Sequence, residues 1–394
     1  MRAVVPLSRI LKDAEIFTDG DWIESKDQDP NGDVRLTQLA DIGDGYWINK
    51  STRFLSSEKA SQLRCTYLET GDILVARMPD PLGRSCIFPG DPKPCVTVVD
   101  VCIIRPNSEK VANRYLMHAI NSPVGRRGIE KHVTGTTRQR ISRKNLGKIE
   151  IPLPPLAEQK RIAAILDAAD ALRAKRRESL AQLDTLLQST FLDLFGDPVR
   201  NPKGWEQKKL GDVCDVRDGT HDSPKYVEYG HPLLTSKNFK DGEIDYAGAN
   251  MISDGDFEHI NKRSKVDVGD LVMPMIGTIG NPVLVEQEPD FAIKNVALIK
   301  ILSGSPDRRY ILHLLCSHYF DHITAKTNRG GTQKFVALKD IRGIPVPLPS
   351  ADIQHRFATI VESIERQKTR LRAHLAELDT LFASLQSRAF NGEL

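Results

Sequence analysis

Residues 146–159 read LGKIEIPLPPLAEQ, and residues 341–354 read IRGIPVPLPSADIQ. The second stretch lies 195 residues after the first and sets Pro152 on Pro347, Leu153 on Leu348, Pro154 on Pro349 and Gln159 on Gln354. The same offset continues downstream without a gap. Leu183-Asp184-Thr185-Leu186 falls on Leu378-Asp379-Thr380-Leu381, and Phe195 falls on Phe390. Upstream the match is weaker but visible: Thr70-Gly71-Asp72-Ile73-Leu74 resembles Val268-Gly269-Asp270-Leu271-Val272, and Asp19-Gly20 resembles Asp218-Gly219. Self-similarity of this kind decides the architecture before any local reading does. Each half is one globular unit of roughly 150 residues followed by one helical segment.

The prolines place the start of each helix. Pro152, Pro154 and Pro155 cannot sit in a helix interior, so the helix begins after them. From about 156 to 194 there is neither Pro nor Gly, and Ile162, Ile165, Ala169, Leu172, Leu180, Leu183, Leu187, Phe191 and Leu194 recur at helical spacing. Gly196 and Pro198 close the segment. From about 351 to 390 the stripe is Phe357, Ile360, Ile364, Leu371, Leu375, Leu378, Leu381 and Leu385, closed by Gly392. At about 38 residues each helix rises ~57 Å, far beyond an average globular helix. Two such helices with narrow apolar stripes satisfy one another as a coiled coil; packing of each on its own globular unit is the alternative. An antiparallel pairing would let the duplicated chain close about a pseudo-twofold axis.

The globular units read as strand-rich α+β. Short β-prone runs at 73–76, 96–105, 271–275, 283–286 and 297–302 lie between Gly, Pro, Asn and Asp turn signals. Helices are expected at 113–121 and 307–328. The expected domains are 1–155, a first helix 156–196, a second globular unit 197–350, and a second helix 351–394.

Residues 125–148 carry eight cations, Arg126, Arg127, Lys131, Arg138, Arg140, Arg143, Lys144 and Lys148, against the single acid Glu130. Within them Thr134-Gly135-Thr136-Thr137-Arg138-Gln139-Arg140 is a loop by composition. Its Thr, Gln and Arg side chains can donate to phosphates or base edges. A charge run alone is usually a solvated face. Here the chemistry recurs at the equivalent place of the second half, in Arg329, Thr332, Gln333 and Lys334, and that recurrence points to DNA. A second pair of turns leaves equivalent strands and offers Arg77 and Arg84 in one half, Thr278 and Asn281 in the other. A third pair offers Trp47 and Lys50, matched by Ser236, Lys237 and Asn238; Lys225 lies just upstream. Trp47 reads equally well as a core residue.

Composition sets the outer bounds. The net charge of +3 is too mild to argue for nucleic acid without local clustering. Six cysteines without a CxxC read as free thiols in a reducing cytoplasm. Ala3-Val4-Val5 is too short an apolar run for a signal peptide, and no stretch is long enough to span a membrane. There is no GxxxxGK[ST] loop, no strand-borne GxGxxG and no [DN]PP[YF] tetrapeptide, and His318 and His322 lack the Glu of HExxH. No catalytic residue, metal site or cofactor is therefore expected in this chain.

With the two PLP segments, each opening a long helix, the stretch 218–239 (DGTHDSPKYVEYGHPLLTSKNF) and the TGTTRQRI loop, the chain resembles the specificity subunits of type I restriction–modification systems over essentially its whole length. The resemblance implies that each globular unit is a target recognition domain reading one half of a bipartite, asymmetric DNA site. It implies that the paired helices set the spacing. It further implies that two modification subunits dock there and supply S-adenosylmethionine and adenine methylation, and that restriction/translocase subunits join for cleavage. The first half departs from the pattern at 19–28 (DGDWIESKDQ), where the second keeps DGTHDSPKY.

Overall fold

A computed structural model describes residues 4–240, 242–277, 279–325 and 335–394. The chain divides into two compact units, one made of residues up to Glu178 plus Ala373–Leu394, the other of Ser179–Arg372. The divisions fall inside the long helices, so each helix contributes one part of its length to each unit.

In the first unit an antiparallel sheet runs in the order Ile16–Asp19, Val101–Arg105, Ile73–Ala76, Ser85–Ile87. A three-stranded sheet joins Arg53–Leu55, Val34–Thr37 and Cys95–Thr97, the last pair parallel. Val4–Pro6 pairs with Glu150–Pro152. The second unit repeats this plan strand for strand. Its antiparallel sheet is Asp215–Asp218, Val296–Lys300, Leu271–Pro274, Val283–Leu284. Its mixed sheet is Asn250–Ile252, His231–Leu234, Ala292–Ile293, and its ribbon pairs Gln207–Lys209 with Pro345–Pro347. The second unit adds a small hairpin, Phe239–Lys240 with Glu243–Ile244, and a longer helix, Asp254–Ser264, where the first has Ser57–Gln62. The helix expected over 113–121 is Asn113–Asn121. Instead of one helix over 307–328, Arg308–Leu315 and His318–Ala325 are separated by a break at Cys316 and Ser317.

The matching sequence segments serve matching anchors. The Tyr115 hydroxyl donates to the carbonyl of Pro152 at 2.6 Å, and the Tyr310 hydroxyl to that of Pro347 at 2.7 Å. The buried amide of Gln159 accepts from the Ala112 N–H and donates to the Pro154 carbonyl, both at 2.9 Å. Gln354 does the same with Asp307 and Pro349, both at 2.7 Å. Proline brings no N–H to satisfy, so only its carbonyl needs a partner in these buried surroundings. Buried Asp72 and Asp270 recur in the same way, receiving Arg105 at 2.8 Å and Lys300 at 2.6 Å.

The long helices are Leu156–Phe195 and Ala351–Asn391. In the first unit Arg173 meets Asp379 and Phe382, while Tyr115 packs on Phe390. In the second, Asp184 meets Lys368, while Phe191 and Phe195 pack on Phe357. Within each unit the two helical stretches therefore run antiparallel, and each also packs on the globular core. Ile162, Ala163 and Leu166 join one core, and Leu187, Phe191, Phe357, Val361 and Ile364 join the other.

The inward faces differ from the expected stripes at several places. Leu172 is 53% exposed, Ile360 36% and Leu381 47%; Ile165 is only half-buried. The seam instead follows 162, 166, 169, 173, 176, 180, 183, 187 on one helix and 357, 361, 364, 368, 371, 375, 378, 382 on the other. Alternating steps of three and four over a seven-residue repeat are those of a coiled coil. It passes through Arg173, Arg176 and Lys368, so a search for apolar letters slips one residue from Arg173 to Leu172.

Candidate nucleic-acid interface

The loop of the first unit is closed by its own backbone. Thr134 and Arg140 exchange N–H···O hydrogen bonds, both at 2.9 Å, across an antiparallel bridge. Gly135 has φ +88°, and a β-carbon there would stand 2.5 Å from the Arg138 carbonyl oxygen, so only glycine fits the turn. Thr136, Thr137, Arg138, Gln139 and Arg140 are all exposed. Arg140 is steadied by Asp100 at 3.3 Å. Directly beyond the loop, Ile141 is fully buried and ties the loop to the sheet.

Arg77 performs that tie, which corrects its expected role as a DNA contact. It is buried and donates to the carbonyls of Ile141 (2.9 Å) and Val99 (3.0 Å) while pairing with Asp19 at 2.8 Å. Arg84 is corrected likewise. Its guanidinium is buried against four carbonyls, those of Ile42 (2.7 Å), Leu39 (2.9 Å), Met78 (3.1 Å) and Pro81 (3.2 Å). Both guanidinium groups are turned into the protein, Arg77 holding the base of the loop and Arg84 the backbone at Leu39, Ile42, Met78 and Pro81. Trp47 is half-buried, edge-on to Phe88 with centroids 5.3 Å apart, whereas Lys50 is exposed.

In the second unit Lys225, Lys237 and Asn281 are exposed, and Ser236 is half-buried. Asn238 is buried and closes a turn by accepting from the Thr235 N–H at 2.9 Å and donating to the Asp245 carbonyl at 3.0 Å, so it offers nothing to DNA. Thr278, Arg329, Thr332, Gln333 and Lys334 lie outside the described residues. Among the described residues, the Val336 N–H donates to the Met275 carbonyl at 3.0 Å, as the Ile141 N–H does to the Arg77 carbonyl at 3.1 Å.

Arg138 and Arg140 line a groove of about 600 Å³ together with Trp22, Gln38, Met78 and Asp100. Reading the sequence for cations missed Trp22, which is 71% exposed. Its position after the Asp19-Gly20 repeat was the available signal. A larger groove of about 1290 Å³ in the second unit is lined by Asp212, Asp215, Asp307 and Asp352 against Lys208 and His355. Its acidic lining repels phosphate, so size does not decide the interface. Among the described residues no group of three or more His, Cys, Asp or Glu is placed to hold a metal, and no helix is long and apolar enough to cross a membrane.

An exposed, backbone-closed loop bearing Thr, Gln and Arg, braced by buried Arg77, suits phosphate and base-edge contacts. Comparison with known proteins agrees with the duplication. The family described as type I restriction modification DNA specificity domain matches twice, over residues 14–183 and 202–378. The EcoBI specificity subunit of Escherichia coli is 26% identical over 334 residues, spanning 75% of this chain and 68% of that protein. The MjaVIII specificity subunit of Methanocaldococcus jannaschii is 25% identical over 383 residues, spanning 91% and 87%. The fold is that of the type I restriction–modification S subunit from M. genitalium, with a TM-score of 0.57 at 15% identity over 99% of this chain and 96% of that one. Two copies of the domain, matched end to end by a duplicated fold, make this chain a member of the type I restriction–modification DNA specificity family.

Proposed function

We propose that this chain is the sequence-specificity subunit of a type I restriction–modification complex and catalyses nothing itself. Each globular unit reads one half of a bipartite, asymmetric DNA site. The paired helices fix the spacing between half-sites and dock two modification subunits, which bind S-adenosylmethionine and methylate adenine. Restriction/translocase subunits join the same assembly for cleavage, and the complex works in the cytoplasm. One observation carries this reading: the two units share the antiparallel sheet, the mixed sheet, the ribbon and their anchors, yet differ in the sequences of the loops between them. A common scaffold with different loops suits the reading of two different half-sites. A 40-residue helix rises about 60 Å, more than one DNA turn of roughly 34–36 Å, so the helices are long enough to space two grooves.

The test is co-expression with the neighbouring modification gene in a methylation-free host, followed by mapping of methylated adenines. A bipartite motif with a fixed unspecific spacer is the expected result. Absence of methylation and of any co-purifying partner would leave a stand-alone DNA binder in its place.

A further inference from the structure

Both units carry an equivalent loop directly after the first strand of the antiparallel sheet. It reads Asp19-Gly20-Asp21-Trp22 in one and Asp218-Gly219-Thr220-His221 in the other. A β-carbon on Gly20 would stand 2.4 Å from the Val98 carbonyl oxygen, and one on Gly219 would stand 2.3 Å from that of Ile293. Each loop then makes a parallel bridge, Asp21 to Val98 and Thr220 to Lys294. The Asp21 carboxylate also accepts the Thr66 N–H at 2.8 Å. The post thus has the same close-packed glycine followed by a parallel bridge in both units, while the side chains after the glycine differ.

On the first post stands an indole left mostly in water, which earns the fold little by burial. Its Nε1 reaches Glu24 at 3.4 Å, and its ring forms one wall of the groove that Arg138 and Arg140 share. On the second post stands an imidazole. Its Nδ1 lies 2.7 Å from the Asn295 side chain and its Nε2 2.9 Å from Asp218, so it is aimed rather than loose. A flat apolar surface beside two guanidinium groups matches the edge or face of a base flanked by phosphates.

We propose that Trp22 is a specificity-determining residue that reads one base of the first unit's half-site by apolar contact; at the same post of the second unit both ring nitrogens of His221 are held within the protein, by Asn295 and Asp218. This rests on the chain being a DNA specificity subunit. The experiment uses the complex with its modification subunits, the methylated motif first being mapped with the unaltered chain. In Trp22→Ala the cognate site is expected to be methylated roughly 10-fold more slowly, and discrimination at one base pair of one half-site to fall away, the other half-site and the spacer being unchanged. The melting temperature of Trp22→Ala is expected to match the unaltered chain, since this side chain is mostly exposed. An unchanged motif and rate in Trp22→Ala would overturn the inference, as would an even loss at all positions with the fold intact. If the unaltered complex methylates no bipartite site, the underlying functional reading fails instead.

Discussion

Arginines of the first unit divide into two kinds that the sequence does not distinguish. Arg138 ends in solvent, whereas Arg84 is spent on four backbone carbonyls. Cation spacing could not say which guanidinium turns inward, because that depends on carbonyls brought from Leu39, Ile42, Met78 and Pro81. Arg138→Glu is expected to leave the melting temperature unchanged, to weaken DNA binding, and to lower the slope of log affinity against log salt by about one. Arg84→Ala is expected to cost about 2–4 kcal/mol of stability, since it leaves buried carbonyls unpaired. Denaturant titration separates the two, and a fully stable Arg84→Ala that no longer bound DNA would return Arg84 to the interface. A different residue sets a pH response. Burial beside Phe357 pushes the His313 imidazole down from its ordinary value of 6.5 to about 4, with Glu365, Lys368 and Arg309 as its charged neighbours. Between those two values the unfolded chain takes up a proton that the folded chain refuses. Stability is therefore lost as pH falls from 6.5 towards 4. His313→Leu should lose less stability than the unaltered chain between pH 7 and 4.5, by on the order of 2 kcal/mol. Parallel pH curves would show that the imidazole protonates freely in the fold.

At the level of elements, the helix starts were plain in the sequence because proline forbids what precedes them. The seam was legible only in part. A heptad that admits Arg173 and Lys368 defeats a search for apolar letters, and the compensating groups come from the other helix. Arg173 Nε meets Asp379 at 2.6 Å, and Lys368 Nζ meets Asp184 at 2.8 Å. Arg173 and Lys368 are 195 residues apart, as are Asp184 and Asp379, so one contact is made twice. Each cation has a second acid on its own helix, Asp170 at 2.7 Å and Glu365 at 2.8 Å. With that support and the partial exposure of the acids, Asp379→Ala should destabilise by only about 1 kcal/mol. Lys368→Met should be neutral or slightly stabilising, because an apolar side chain of similar length fills the same seam position without desolvating a charge. Thermal melts test both; a loss of several kcal/mol in Lys368→Met would make the ammonium group a true keystone of the seam.

For the molecule as a whole, duplication was the clearest thing in the sequence, since PLP and LDTL recur at one offset. The hidden part was the cut between units. It falls inside the helices, where no composition shift marks it, because a continuous helix serves two cores equally well. If the helices space the half-sites, a seven-residue insertion near Glu178 matched by another near Arg372 keeps the heptad phase. It adds about 10 Å of rise, or roughly three base pairs. The spacer of the methylated motif should lengthen accordingly while the letters of both half-sites stay the same. Altered letters with an unchanged spacer would remove the helices from that role.

The pairing of Arg173 with Asp379 also has a genetic meaning. The two codons lie 206 positions apart, in different repeats of the gene, yet the side chains share one hydrogen bond. A lesion that reverses the charge at Asp379 should therefore find its suppressor in the first repeat, at Arg173. Lesions in the exposed loop 134–140 should find theirs nearby, within the unit that carries them. Selection for second-site revertants would thus sort the chain into residues inherited as a linked pair and residues free to diverge alone.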